Sequence, residues 1–329
     1  MITQLCAICE RNNYKILYPE NFEIKKINEK VFSARRLPDK IHYRIVKCNK
    51  CGLVYSNPIL EYGKIEKLYK KSFTSYDEHI ENLKQTYGFY LKELSLYRKS
   101  MTGVEKKGPP QRAARHFDWS SEHWGEMNSR QAPSYKLLEI GCGNGFFLEE
   151  ALDQRYRKVW GVEPGKKSVD KAEKSIKKNI IVDIFRPGLF KKNFFDVVCC
   201  FQTLDHIPDP NGFLKECYAV LKKGGLVLFL NHDASSISAK IMGERSPIID
   251  IEHTYLFDKK TMKKMFKKHK FKVLEVKDAT NIHHLSHWLH LFPLPKSLKL
   301  ALLNILKILH LDKIKIKLNP GNIVLVATK

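Results

Sequence analysis

Cysteine is scarce here, eight in 329 residues, which excludes a disulfide-built scaffold. No apolar run approaches the ~18 residues a spanning helix needs. The opening stretch MITQLCAICERNNYK has neither a charged leader nor an apolar one, so a cytoplasmic protein is expected. Arginine is also thin: 12 of the 58 cationic residues, the rest being lysines dispersed along the chain. The formal charge is +23. Phosphate and base recognition leans on the forked guanidinium, so this charge is first a solvated lysine surface and assigns no nucleic-acid partner. What is present is enough for a core: 43% apolar and 11% aromatic residues exclude wholesale disorder, and the length suits about two domains.

Four of the cysteines form two C-x-x-C pairs, Cys6 with Cys9 and Cys48 with Cys51, 38 residues apart. Each pair is expected in a tight turn of a β-hairpin, aiming two thiolates at one point. In a reducing compartment, four soft thiolates at that local spacing suit a closed tetrahedral zinc site without an open position for chemistry. The expected organisation is a zinc-ribbon-like module over residues 1–57, then helical connectors and an irregular linker over 58–134. The remainder, 135–329, forms the main domain. Within the connector, Lys vanishes after Lys107, and Trp119 and Trp124 fall in an aperiodic Gly/Pro/Ser/Gln-rich stretch that reads as a linker or insertion over 101–134.

From residue 135, short apolar runs alternate with helix-spaced segments: 136–140, 158–162, 195–200 and 226–230 as strands, 147–154, 168–177 and 212–221 as helices. Strands buried on both faces and separated by ~10-residue helices make a Rossmann-like, doubly wound, mostly parallel α/β sheet. Runs at 271–276 and 322–327 are expected to add an antiparallel edge.

The densest motif is Glu139-Ile140-Gly141-Cys142-Gly143-Asn144-Gly145, which leaves a strand and opens a helix. Its glycines permit a tight turn and close approach of a ligand to the backbone. Glu163 ends the next strand, where two carboxylate oxygens suit a ribose diol. With the segment Phe195 to Pro210 and the turn Lys222-Lys223-Gly224-Gly225, the chain from about 135 onward resembles the class I S-adenosylmethionine-dependent methyltransferases of small-molecule type. That resemblance implies that Glu139, Gly141, Cys142, Gly143 and Gly145 cradle the methionine end. It implies further that Glu163 takes the ribose, that Asp183 meets the adenine amine, and that Gln202 lies in the strand-four motif beside the cofactor. It also supports zinc at the N-terminus, since ribbon-like modules precede many such domains.

Methyl transfer from a sulfonium is an in-line displacement, so the protein must align the acceptor and remove its proton. Histidine titrates near neutrality, and three fall at strand ends or loops: His206, His232 and His253. His206 is the first choice as base and His253 the second, with Asp205 able to orient His206. The acceptor expected is a small molecule methylated on oxygen or carbon. Ribosomal or transfer RNA is the competing acceptor, but RNA-directed modules of this kind usually carry a His ligand after the second cysteine pair, and residues 53–58 have none. A non-catalytic interaction protein would require a spoiled glycine loop or a missing Glu163, and both are intact.

Residues 283–318 combine many Leu and Ile with interspersed lysines. Two outcomes are expected for them: a helical lid over the active site, or a basic amphipathic helix on anionic lipid through 285–318, in which case the acceptor is lipid-linked.

Overall fold

The computed structural model describes residues 1–23, 32, 40–72, 80–101, 135–154, 156–291 and 294–329, with only the backbone at 98–101, 290, 291 and 296. Most of the linker expected over 101–134 lies outside the described residues.

The N-terminal region contains β1 (Tyr14–Tyr18), β2 (Ile45–Cys48) and β3 (Val54–Ser56), followed by α1 (Tyr62–Lys71) and the long α2 (Ile80–Met101). The strands pair antiparallel in the order β1-β2-β3. Cys48 and Cys51 sit at the β2–β3 turn, a hairpin as expected. Cys6 and Cys9 instead occupy a turn closed by the Glu10 N–H on the Cys6 carbonyl at 2.8 Å, and no strand pair flanks it among the described residues.

Then come β4 (Lys136–Ile140), α3 (Phe146–Asp153), β5 (Lys158–Val162), the short α4 (Lys166–Asp170) and α5 (Lys174–Lys177), and β6 (Ile180–Ile181). The chain continues through β7 (Phe195–Phe201), α6 (Pro210–Val220), β8 (Leu221–His232), α7 (Ile237–Met242), β9 (Tyr255–Leu256) and α8 (Lys259–Lys268). It ends with β10 (Lys272–His284), α9 (Leu285–Leu291), α10 (Lys296–Ile308) and β11 (Lys315–Thr328).

One sheet runs β10-β11-β8-β7-β4-β5-β6, with β4 to β8 parallel and β11 antiparallel to both its neighbours. The runs that read as strands in sequence form it because their residues are buried on both faces. Leu138, Ile140, Val198 and Phe229 pack to one side, and Leu137, Val197, Leu228 and Leu230 to the other. Strand order reverses between β4 and β7, and in such sheets the crevice beyond the carboxyl ends at that point receives the ligand.

The two sheets are not independent. β9, which follows the parallel strands, pairs with β3 through Val54–Leu256 and Tyr55–Tyr255, and Tyr55 stacks on Tyr255 at 6.1 Å. Tyr55 and Phe257 belong to the same apolar cluster as the sheet residues Ile140 and Val198, so one core runs through both.

Phe229, fully buried on β8, packs edge-on against Phe266 of α8 at 4.9 Å. Truncation there deletes a ring from a site that cannot collapse. Phe229→Ala is expected to cost ~3–5 kcal/mol and lower the melting temperature by about 10 °C. A shift within about 2 °C by calorimetry would refute this packing.

Candidate functional site

Three glycines shape the turn between β4 and α3, all left-handed: Gly141 at φ +78°, Gly143 at +55° and Gly145 at +81°. A Cβ on Gly141 would stand 2.3 Å from Thr203 Oγ1, so the residue is required by contact as well as by conformation. That contact also fixes the neighbourhood. The turn after β7, carrying Gln202, Thr203, Asp205 and His206, lies directly against the glycine loop.

Glu163 directly follows β5 and is 8% exposed. Its Oε2 accepts the Gly143 N–H at 3.0 Å and its Oε1 the Gly165 N–H at 2.8 Å. Each carboxylate oxygen retains a second lone-pair direction, which is what a vicinal diol would use. Burial raises the Glu163 pKa and the two N–H donors counter it. Glu139 on β4 is almost wholly buried, and its Oε2 has no hydrogen-bond partner. Its pKa is also raised, by burial and then by the charge of Glu163. Asn144 in the loop likewise leaves its Oδ1 unpartnered. Two orphaned acceptors beside a glycine-built cradle are what a bound molecule with ammonium and hydroxyl donors would complete.

Cys142 packs between the sheet and the loop and is 2% exposed; burial pushes its thiol well up, as it does for Cys200 and Cys217. These behave as small apolar residues rather than nucleophiles. Gln202 holds φ +47° and donates its N–H to the Leu230 carbonyl at 2.6 Å, which turns the chain sharply off β7. Asp183 lies past β6 with its acceptors engaged: Oδ1 takes the Ile184 N–H at 2.9 Å and faces Lys70 at 3.4 Å, and Oδ2 takes two bonds from Arg186. An adenine amine would have to displace the longest of these, Lys70.

The structure brings Asp205, His206, His232 and His253 together from three segments. Asp205 is 2% exposed, and its Oδ2 stands 2.8 Å from His232 Nδ1. An ionised carboxylate only accepts, so Nδ1 carries a proton, and in the neutral form of the ring the lone pair is on Nε2. His206 Nε2 lies 3.8 Å from Asp205 Oδ1, beyond hydrogen-bond reach, while its Nδ1 meets the Tyr69 hydroxyl at 3.0 Å. His253 donates from Nδ1 to the Ile248 carbonyl at 2.9 Å, and its ring centroid is 4.7 Å from that of His206 and 5.1 Å from that of His232. Asp205 therefore orients His232 rather than His206. Sequence separation gave no hint of this, because the pairing depends on how β8 ends beside the turn after β7. Tyr69 reaches in from α1, a stretch that in the sequence reads only as a helical connector.

Burial alone would raise the Asp205 pKa, but the His232 hydrogen bond and the adjacent imidazoles hold it far below the usual carboxylate range. Burial lowers His206 to about 3, only partly offset by Asp205.

In the N-terminal module, Cys6 Sγ lies 3.3 Å from Cys51 Sγ, and Cys9 Sγ 3.4 Å from Cys48 Sγ. One donor atom from each of the four falls within 4.8 Å of every other. A tetrahedron with metal–sulfur distances of about 2.3 Å has edges of about 3.8 Å, so the quartet fits zinc with small relaxation. Lys264 and Lys268 donate to the Cys51 and Ala7 carbonyls at 3.3 and 2.6 Å, placing cations beside the thiolates.

The depressed pKa of His206 predicts an acid-sensitive fold. Between pH ~6.5 and ~3 the unfolded chain binds a proton that the half-buried ring refuses, so stability falls as pH drops, at no more than about 1.4 kcal/mol per pH unit. His206→Gln cannot titrate and is expected to flatten that part of the profile. Urea titrations at pH 7 and pH 5 read it out, and parallel losses in both proteins would sink the idea.

A family model described as a methyltransferase domain matches residues 104–276, just over half of the chain. Among relatives, a ubiquinone biosynthesis O-methyltransferase of Bordetella avium is 31% identical over 135 residues, covering 39% of this chain and 54% of that protein. One from Pseudomonas entomophila is 33% identical over 116 residues, covering 33% and 50%. The chain thus spans about half the length of the curated relatives it matches. Among solved structures, an S-adenosylmethionine-dependent methyltransferase of Thermotoga maritima is 21% identical with a TM-score of 0.41, over 61% of this chain and 84% of that one. One of Archaeoglobus fulgidus is 17% identical with a TM-score of 0.40, over 59% and 86%. With the family model spanning the glycine loop, Glu163 and the Asp205 turn, this chain belongs to the S-adenosylmethionine-dependent methyltransferases.

Proposed function

We propose that the protein moves a methyl group from S-adenosylmethionine to a hydroxyl oxygen of a small-molecule acceptor, with His232 as general base. The observation that carries this is the 2.8 Å contact between the buried Asp205 carboxylate and His232 Nδ1, beside the glycine loop. The choice of oxygen follows the relatives named as O-methyltransferases.

S-adenosylmethionine, when bound, supplies an electrophilic methyl on sulfonium sulfur. Gly141, Gly143 and Gly145 would let its methionine end approach the backbone closely at the start of α3, with Glu139 and Asn144 offering acceptors to the ammonium. Glu163 would take the ribose hydroxyls. On the acceptor side, Asp205 fixes the His232 tautomer and orientation, so that Nε2 is the nitrogen able to take the hydroxyl proton. Asp205 then stabilises the resulting imidazolium. His253, locked by the Ile248 carbonyl, and His206, held neutral against Tyr69, wall the same space.

Acceptor-side and cofactor-side variants should separate kinetically. His232→Ala is expected to cut turnover ~10²-fold or more with cofactor affinity nearly unchanged, because one positioned base is worth ~10²–10⁴ in rate. Glu163→Ala is expected to weaken cofactor affinity about 10–100-fold, through loss of hydrogen bonds to a charged acceptor. Calorimetry with S-adenosylmethionine and single-turnover assays on a hydroxyl acceptor measure the two. Full activity in His232→Ala on a verified acceptor would remove the base assignment, and unaltered affinity in Glu163→Ala the ribose assignment.

We further propose one structural zinc at Cys6, Cys9, Cys48 and Cys51. Its influence should extend beyond the module. Ser56 donates its N–H to the Thr254 carbonyl at 2.9 Å and its Oγ to the His253 carbonyl at 3.0 Å, while β3 pairs with β9. Metal loss removes the folding energy of a small module and so loosens the strand that holds His253. Cys48→Ser with Cys51→Ser is expected to lower turnover more than cofactor affinity. Metal analysis that returns no zinc from chelator-free wild type would reject the site, and intact turnover in a zinc-free variant would reject the coupling.

A further inference from the structure

The antiparallel edge of the sheet reaches beyond the strands that build the site. Asn322 of β11 lies opposite His232, the last residue of β8, so residues 315–321 continue past the carboxyl ends of the parallel strands. There β11 pairs with β10 alone, from Asn281–Leu318 to His284–Lys315. α9 and α10 are inserted at the tip of this overhang. α7, which follows β8, is tied to the same place by the Ser238 hydroxyl on the Pro320 carbonyl at 3.2 Å. The α9–α10 insertion and α7 thus stand together at the end of the molecule beyond the carboxyl ends of the parallel strands.

α10 buries Leu303. On the opposite side of its turn, Leu298, Ala301, Ile305, Ile308 and Leu309 form one solvent-facing stripe, and Ile308 is 76% exposed. Ile237 and Ile241, one turn apart on α7, are 77% and 80% exposed. A soluble surface does not normally concentrate large aliphatic side chains this way. The charges of the α10 segment are predominantly positive. Residues 296–318 contain six lysines against the single acid Asp312, and Lys307, Lys313 and Lys315 are exposed.

We propose that this end of the molecule docks on an anionic lipid bilayer, with the α10 stripe and the α7 isoleucines entering the headgroup boundary and the lysines meeting lipid phosphates. The charge selects that occupant. A second copy laid symmetrically on the stripe would bring like lysine clusters together, on chains that each carry +23. An anionic surface instead gains from both the apolar area and the lysines. This goes beyond the methyl-transfer reading and does not depend on it.

The test is co-sedimentation of the full chain with vesicles of phosphatidylcholine alone and of phosphatidylcholine mixed with phosphatidylglycerol. Binding is expected to the mixed vesicles, weakly if at all to the neutral ones, and to fall as salt is raised. Ile305→Asp with Ile308→Asp, and separately Lys313→Glu with Lys315→Glu, are each expected to weaken it ~10-fold or more, because both contributions are needed for stable anchoring. Unchanged S-adenosylmethionine affinity and melting temperature identify the variants as folded. No binding to mixed vesicles, or binding unaffected by the isoleucine changes, overturns the proposal. So does a wild-type dimer in solution that those changes convert to monomer. Absence of methyl transfer with vesicle binding intact would instead count against the catalytic reading.

Discussion

Taking a carboxylate out of water costs several kcal/mol even after local relaxation, unless donors replace the lost hydration. Asp205 stands under that constraint at the centre of this molecule, 2% exposed. His232 supplies the nearest compensation, and His206 and His253 face it across the same small volume. Its backbone is held as firmly as its side chain, because the Asp205 carbonyl accepts both the Thr254 N–H at 2.8 Å and the Thr254 hydroxyl at 3.2 Å. A charged group kept in that place requires the turn after β7, the end of β8 and the segment before β9 to converge. The chemistry and the fold are therefore one constraint.

The segment before β9 is the least self-sufficient of the three. β9 itself has two residues and pairs with β3, across a hairpin whose turn carries two of the four clustered cysteines. Tyr255 packs against Tyr55 and Phe257, and its hydroxyl donates to Gln4 at 3.0 Å. A two-residue strand contributes little on its own. Thr254 ties this segment directly to Asp205, and Ser56 of β3 braces it from the other side through the Thr254 and His253 carbonyls. On the proposed reading the module thus supports the acceptor side, and it shares one apolar core with β4 and β5 as well.

Legibility in the sequence followed burial. β4 and β5 appear at the same residues in both readings, because a strand covered on both faces must be continuously apolar. β8 was harder to read: Leu221 pairs with Phe195, residues 222–225 then bulge out before pairing with β7 resumes at Leu226, and Gly224 at φ +74° marks the irregularity. That stretch looks like a turn because locally it is one. The overhang was expected to be helical, yet the alternation from Lys313 to Leu318 is a strand signal, and Lys315-Ile316-Lys317 pairs with Ile282-His283-His284 beyond the main sheet. The helix-spaced run at 168–177 resolves into two short helices, α4 and α5, interrupted after Asp170. For the site, residue types were visible and partnerships were not. Three histidines stood in the right loops, but only the register of β8 against β7 decides which of them Asp205 touches.

That division has a physical source. Glycine at a left-handed turn, or an acid at a strand end, is fixed by its immediate backbone, so a single segment announces it. A hydrogen bond between side chains 27 residues apart depends on sheet order, and sheet order depends on the whole core. The same holds for Tyr69, whose position in α1 is set by packing on residues far along the chain, including the Phe32 ring at 5.7 Å. On the proposed reading, the cofactor's residues sit in local elements and the acceptor's are assembled from distant ones, with His253 braced by β3, so substitutions far from the reacting atoms would alter the acceptor while leaving the methyl donor's site intact.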